Sequence, residues 1–140
     1  MPSFYFFYRH KVIPYVRMTQ RGKFVKKNAR DYIASKEALA WSLKEQMKER
    51  KMFPDRTPFE IEITYIAPNA FQFDIDNLVK AVLDAAQGIV FRNDMWCQCI
   101  RRAVKFKGES YELSIKIQEF SDFRHGKSIT PQRAQKLNLV

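Results

Sequence analysis

The sequence predicts an α+β domain, mixed α/β in its connections, with two helices packed on a small sheet of about four strands in the order β, loop, α, β, α, β, β. Three observations point there. Residues 59–65 and 111–117 alternate apolar and polar side chains with a period of two. Tyr32, Leu39, Leu43 and Met47 recur at spacings of seven, four and four, which places them on one helix face. A chain of 140 residues, 46% of them hydrophobic, carries enough apolar material for one core and too little for two.

The aromatic run at residues 3–8 suits a first strand, and it is too short and lacks the basic lead of a signal peptide. After Pro14 comes a basic loop in which Arg17, Arg21, Lys23, Lys26 and Lys27 surround Gly22, with no acidic residue before Asp31. Such a run is a solvated segment that can also order on phosphate. Asn28 is an expected N-cap for a helix over residues 29–51, bounded by Pro54, and Trp41, off the apolar stripe, is expected to widen it. Pro68-Asn69-Ala70 closes the next strand. A second helix is expected from Asp76 or Asn77, burying Leu78, Val82 and Ala85 with Ala86 at the margin, and stopping at Gly88 as a C-terminal cap. Residues 97–106 and 111–119 read as a hairpin around Lys107-Gly108-Glu109-Ser110. The domain is thus expected to occupy residues 1–120, with 121–140 a basic tail or marginal helix.

The formal net charge of +10 and a pI near 9.8 call for an anionic partner, nucleic acid ahead of an acidic membrane surface. Its distribution is more informative. Residues 1–51, 52–96 and 97–140 have nets of +9, −4 and +5, so an acidic centre lies between basic arms. A metal-dependent nuclease needs both signs, cations for the strands and carboxylates for the metal. No apolar run approaches the roughly 20 residues of a membrane helix, and no membrane partner is expected. Cys97 and Cys99, two apart on a strand, are expected to be reduced thiols in a cytoplasmic protein.

The acidic centre contains Phe73-Asp74-Ile75-Asp76-Asn77-Leu78-Val79-Lys80, then Asp84, then Asn93-Asp94. If residues 73–76 are extended, Asp74 and Asp76 point the same way. A helix over residues 77–87 climbs roughly 16 Å. An extended return over residues 89–94 covers at most about 20 Å, enough to bring Asp94 back beside Asp76. Lys80 falls one turn after Asp76. Three carboxylates gathered this way require a cation, and hard oxygen donors select Mg²⁺ or Mn²⁺. On the residues alone other readings stand beside this one: Asp76 as a helix cap, Lys80 as a surface pair with Asp76 and Asp84, Asp94 as a turn residue. Asp84 lies too far along the helix to join a metal and is given a structural role. In function, the alternatives are a non-catalytic basic nucleic-acid-binding module and an enzyme acting on a metal-bound diphosphate. Four glycines and no phosphate loop argue against the latter.

The run from Asp74 to Lys80, followed by Asp84-Ala85 and Asn93-Asp94, resembles the core signature of the RusA family of Holliday junction resolvases over about residues 60–119. The resemblance implies a crossover junction endodeoxyribonuclease: a homodimer that binds four-way DNA junctions in recombination and repair and nicks two symmetry-related strands with Mg²⁺ or Mn²⁺. No organic cofactor is implied. The metal-binding aspartates carry over to Asp74, Asp76 and Asp94, and the catalytic lysine to Lys80. Arg17, Arg21, Lys23, Lys26 and Lys27 are expected DNA contacts on the charge of their segment alone. One departure is Asn93, where the family often shows an aspartate. A phage or prophage origin in a bacterial cytoplasm is the implied setting.

Overall fold

The computed structural model of the chain describes residues 2–16, 23–120 and 130–136, and for 23–26, 133 and 134 the backbone alone. Its elements are β1 (Ser3–Tyr8), α1 (Lys23–Met47), β2 (Phe59–Ala67), α2 (Ile75–Ala86), β3 (Cys97–Lys107), β4 (Glu112–Glu119) and a short α3 (Pro131–Lys136). Single 3-10 turns at Ala70–Gln72 and Asp94–Trp96 precede α2 and β3.

The strands form one mixed sheet in the order β1-β4-β2-β3. Period-two alternation sends one face of each inner strand into the core, and the register lines those residues up in three rows. Phe4, Ile117 and Ile61 form one row, Phe6, Ile115 and Ile63 the next, Tyr8, Leu113 and Tyr65 the third. All nine are buried. Tyr32, Leu39, Leu43 and Met47 of α1 are buried as their spacing predicts. Helix α2 buries Leu78, Val79, Ala81, Val82, Ala85 and Ala86, a wider face than predicted, because it packs against α1 as well as β3.

The expected hairpin does not form: β3 and β4 flank β2 on opposite sides. The α2 crossover returns the chain to the start of β2, so β3 runs parallel to it, and β4 then pairs antiparallel with β2's other edge. Gly108 makes the passage over the end of β2. Its N–H donates to Ala67 O at 3.2 Å, and a Cβ there would collide with Ile66 Cγ2. In this arrangement β4 lies between β1 and β2 with Leu113, Ile115 and Ile117 buried, each contributing about 1.5–3 kcal/mol.

Both ends of α1 and the place of Trp41 also differ from expectation. Helix α1 begins at Lys23, so Asn28 lies inside it and caps nothing; the segment after Gly22 holds no helix breaker. It ends at Met47, where Lys48 takes a left-handed φ of 53°. Trp41 widens no stripe, since 66% of its surface is exposed. At the end of α2, by contrast, Gly88 behaves as predicted, with φ 85° just beyond the C-cap.

Candidate active site

Asp74 and Asp76 stand at the N-terminus of α2. The chain leaves β2 through Pro68 and Asn69, makes the 3-10 turn, and extends at Phe73 with φ −151° and ψ 162°. Asp74 is the N-cap and its side chain makes no capping hydrogen bond. Helical dihedrals then begin at Ile75, so Asp74 and Asp76 do not share a strand face as expected; one is the cap and the other sits in the first turn, where a carboxylate is favoured by the helix dipole. Both are exposed. The approach to Asp74 is fixed from β3, whose Lys105 ammonium donates to Phe73 O and lies 4.9 Å from the centre of the Phe73 ring.

Lys80 follows on the same helix. Of its two expected partners it approaches Asp84, with Nζ 3.9 Å from Oδ1, and its ammonium lies 4.7 Å from the centre of the Tyr15 ring. Asp84 has the structural role assigned to it, because its Oδ2 accepts a 2.7 Å hydrogen bond from the Tyr32 hydroxyl.

Asp94 belongs to the other end of α2. Residues 89–91 turn instead of extending: Val90 N–H donates to Ala86 O at 2.9 Å, Gly88 N–H to Phe91 O at 2.7 Å, and Gln87 and Phe91 form a bridge. Asp94 N–H then donates to Gln87 Oε1 at 3.1 Å, which ties it to the helix C-cap. Asn93 caps the following 3-10 turn, its side chain accepting from Met95 N–H at 3.0 Å. Phe91 stacks on Phe59 at the start of β2, with centroids 4.3 Å apart. Gln87 is eleven residues beyond Asp76, an axial rise of about 16 Å along α2, so the residue that holds Asp94 stands at the far end of the helix from the first two aspartates. Among the described residues, no three His, Cys, Asp or Glu side chains form a group that could hold a metal ion. The chain therefore places Asp74 and Asp76 at the N-terminal end of α2, Lys80 a turn further along, and Asp94 against the C-cap.

Of the predicted DNA contacts, Arg17 and Arg21 lie outside the described residues. Lys23, Lys26 and Lys27 fall in the first turns of α1, not in a loop, and Lys27 is exposed. Cys97 and Cys99 are both free, as expected. Burial first, and the neighbouring Asp94 charge among lesser causes, push the Cys97 thiol above its ordinary range.

Sequence reasoning gave no role to Tyr15 and Lys105, and none to Tyr32 beyond its place on the buried stripe of α1. The alternation of residues 59–65 puts Glu60 on the face away from the core, yet it is 4% exposed, with Arg101 2.6 Å away and the Gln118 amide donating to it. A polar residue flanked by cross-strand partners of complementary chemistry could have signalled this, had the strand order been known.

No helix among the described residues is long and apolar enough to cross a membrane. No curated protein matches the chain. The sequence profile of the family described as endodeoxyribonuclease RusA matches residues 11–118, from just after β1 almost to the end of β4. It takes in the N-terminal part, where few individual residues carry the resemblance, and both ends of α2. With most of its length inside that match, the chain belongs to the RusA endodeoxyribonuclease family.

Proposed function

We propose that the protein resolves Holliday junctions and other branched DNA by paired symmetric nicks, with Mg²⁺ or Mn²⁺ held by Asp74, Asp76 and the partner's Asp94 in a homodimer. The observation that supports this most is the N-terminus of α2: Asp74 is a cap whose carboxylate caps nothing, Asp76 is exposed one turn from Lys80, and all three fall within the family match. Uncommitted carboxylate oxygens in this number fit a hard divalent ion. When bound, such an ion polarises a phosphoryl oxygen and lowers the pKa of a water nucleophile. Asp74, Asp76 and Asp94 supply its oxygen ligands, and Lys80 offers N–H donors and positive charge to a phosphate oxygen.

The separation of Asp94 gives the dimer a task. Strand β3 is a sheet edge, and Asp94 precedes it while Asp74 lies by its far end, next to Lys105. Two copies related by a two-fold axis and running in opposite directions along that edge would exchange these ends. Each site would then take Asp74, Asp76 and Lys80 from one protomer and Asp94 from the other, so that two sites act together on a junction that is itself two-fold symmetric. The basic residues Arg17, Arg21, Lys23, Lys26 and Lys27 supply sequence-independent phosphate affinity in this reading.

The test is cleavage of a synthetic four-way junction against a linear duplex of the same sequence. With Mg²⁺ the junction is cut far faster and in paired positions, and without a divalent ion neither is cut. Equal rates on both substrates, or cleavage that ignores chelation, would overturn the proposal. Metal-dependent binding without any cleavage would instead favour a non-catalytic DNA-binding module.

A further inference from the structure

Lys80, exposed on α2, is flanked by side chains that have no part in holding a metal. Tyr15 N–H donates to Asn77 O at 3.0 Å, tethering the segment before α1 to the first turn of α2. The Tyr15 ring packs edge-on against Tyr32, with centroids 5.5 Å apart and planes at 89°, and presents its own electrons to the Lys80 ammonium 4.7 Å away. Below them Tyr32, 1% exposed, donates to Asp84 Oδ2 at 2.7 Å, while Asp84 Oδ1 stays 3.9 Å from Lys80 Nζ. That last distance is long for a charge-assisted hydrogen bond, which closes to about 2.7–2.9 Å when nothing opposes it.

The two contacts divide the work. A lysine on an exposed helix face ordinarily spreads over many rotamers, at an entropic cost of about 2 kcal/mol when it must be fixed for a reaction. The Tyr15 ring narrows that spread by holding the ammonium on one side. Asp84 opposite could capture the lysine fully, and a captured ammonium has fewer N–H groups to give. Tyr32 takes the other oxygen, Oδ2, and so draws on the charge that the lysine would pair with; burial, then the bond to Asp84, holds the hydroxyl's pKa well above the usual tyrosine value.

We infer that Tyr15 and the Tyr32–Asp84 pair are positioning residues for Lys80, which aim its ammonium and leave its N–H donors available to a DNA phosphate. The inference rests on the reading that Lys80 serves cleavage, and it goes beyond it by naming what sets the lysine's direction. Tyr15 acts through the face of its ring, so Tyr15→Phe should preserve the function and Tyr15→Leu should not. Tyr32 acts through its hydroxyl, so Tyr32→Phe should release Asp84 to close on Lys80. Replacing Asp84 as well, in Tyr32→Phe/Asp84→Asn, should undo that harm.

The experiment uses the full chain and two readouts. The first is the NMR shift of the Lys80 ε-methylene in the free protein: the Tyr15 ring should move it upfield, an effect kept in Tyr15→Phe and lost in Tyr15→Leu. The second is single-turnover cleavage of a four-way junction beside its binding affinity. Tyr15→Leu should slow cleavage by roughly tenfold to a hundredfold, the scale of a misplaced reacting group, with binding unchanged. Tyr32→Phe should slow it in the same manner and Tyr32→Phe/Asp84→Asn should recover, which keeps the inference testable if Tyr15→Leu fails to fold. An ε-methylene signal that ignores the Tyr15 ring, or wild-type cleavage by both Tyr15→Leu and Tyr32→Phe, would overturn it. Lys80→Ala separates the two levels. If that variant cuts normally, the assignment of Lys80 to the reaction fails while the NMR signal still decides whether Tyr15 holds the side chain.

Discussion

The two ends of α2 are built on different terms. At the N-terminal end Asp74 occupies a cap position without using its side chain, and Asp76 projects from the first turn, exposed. At the C-terminal end polar groups serve the turn: Gln87 accepts from Asp94 N–H, Gly88 N–H donates to Phe91 O, and Asn93 accepts from Met95 N–H. A helix terminus normally recruits side chains to its unsatisfied backbone groups, because each such bond contributes about 1 kcal/mol. Asn93 follows that rule. Asp74, at the position where a capping bond is most favoured, makes none. The comparison also shows that α2 is a spacer, keeping Asp94 a helix length from the carboxylates it is proposed to join.

The largest effect expected from this contrast is on cleavage. Asp76→Asn removes one ligand oxygen and one charge, and should lower the junction cleavage rate by more than about a thousandfold, as loss of a directly acting group does. Junction binding should hold or tighten, since a negative charge near phosphate is gone. Asp94→Asn should behave alike although it lies at the opposite end; a variant of either residue that cuts normally would break the assignment.

Stability should respond in the reverse sense. Asn93→Ala deletes a capping acceptor and should lower the unfolding free energy by about 1 kcal/mol. Asp74→Ala, with no capping bond to lose, should cost only a few tenths of that by urea denaturation, the dipole interaction being its main contribution. Equal losses would show that Asp74 caps the helix in solution and is not held in reserve.

A subtler check falls on the middle of the helix, where Tyr32 meets Asp84. Burial is the first cause that raises Tyr8, Tyr32 and Tyr65 above the ordinary value of 10.0. Above pH 10 the unfolded chain releases these protons and the folded chain retains them, so the stability present below that pH should decline as pH rises. Tyr32→Phe removes one such group and should flatten the decline. An unchanged alkaline slope would mean that Tyr32 titrates freely.

Much of the fold was legible because burial patterns are local. The alternation of residues 59–65 and the stripe of α1 each predicted their own buried faces, and the apolar content predicted one core. Strand order was not legible. Lys107-Gly108-Glu109-Ser110 has the composition of a hairpin turn, and only the α2 crossover, a non-local feature, shows that its glycine instead clears Ile66 on the way past β2. Of the candidate site, Asp74, Asp76, Lys80 and Asp94 could be singled out by residue type and spacing. Their grouping could not, since it hung on whether residues 89–94 extend or turn. The turn is set by the left-handed Gly88 and by Phe91 seeking Phe59, contacts that spacing alone does not reveal. Tyr15 went unnoticed for a similar reason, and Tyr32 was read only as part of the buried stripe: the contact each makes with α2 exists only once tertiary packing brings it there.

The most direct test of a site shared between protomers is complementation. Asp76→Asn and Asp94→Asn chains, co-expressed with different tags and purified as the mixed dimer, would have one site with both lesions and one with neither. The account predicts that each variant alone is inert and that the mixed dimer regains cleavage, as single nicks in place of paired ones. A mixed dimer as inert as its parents would contradict it, and would place all three aspartates of a site on one chain.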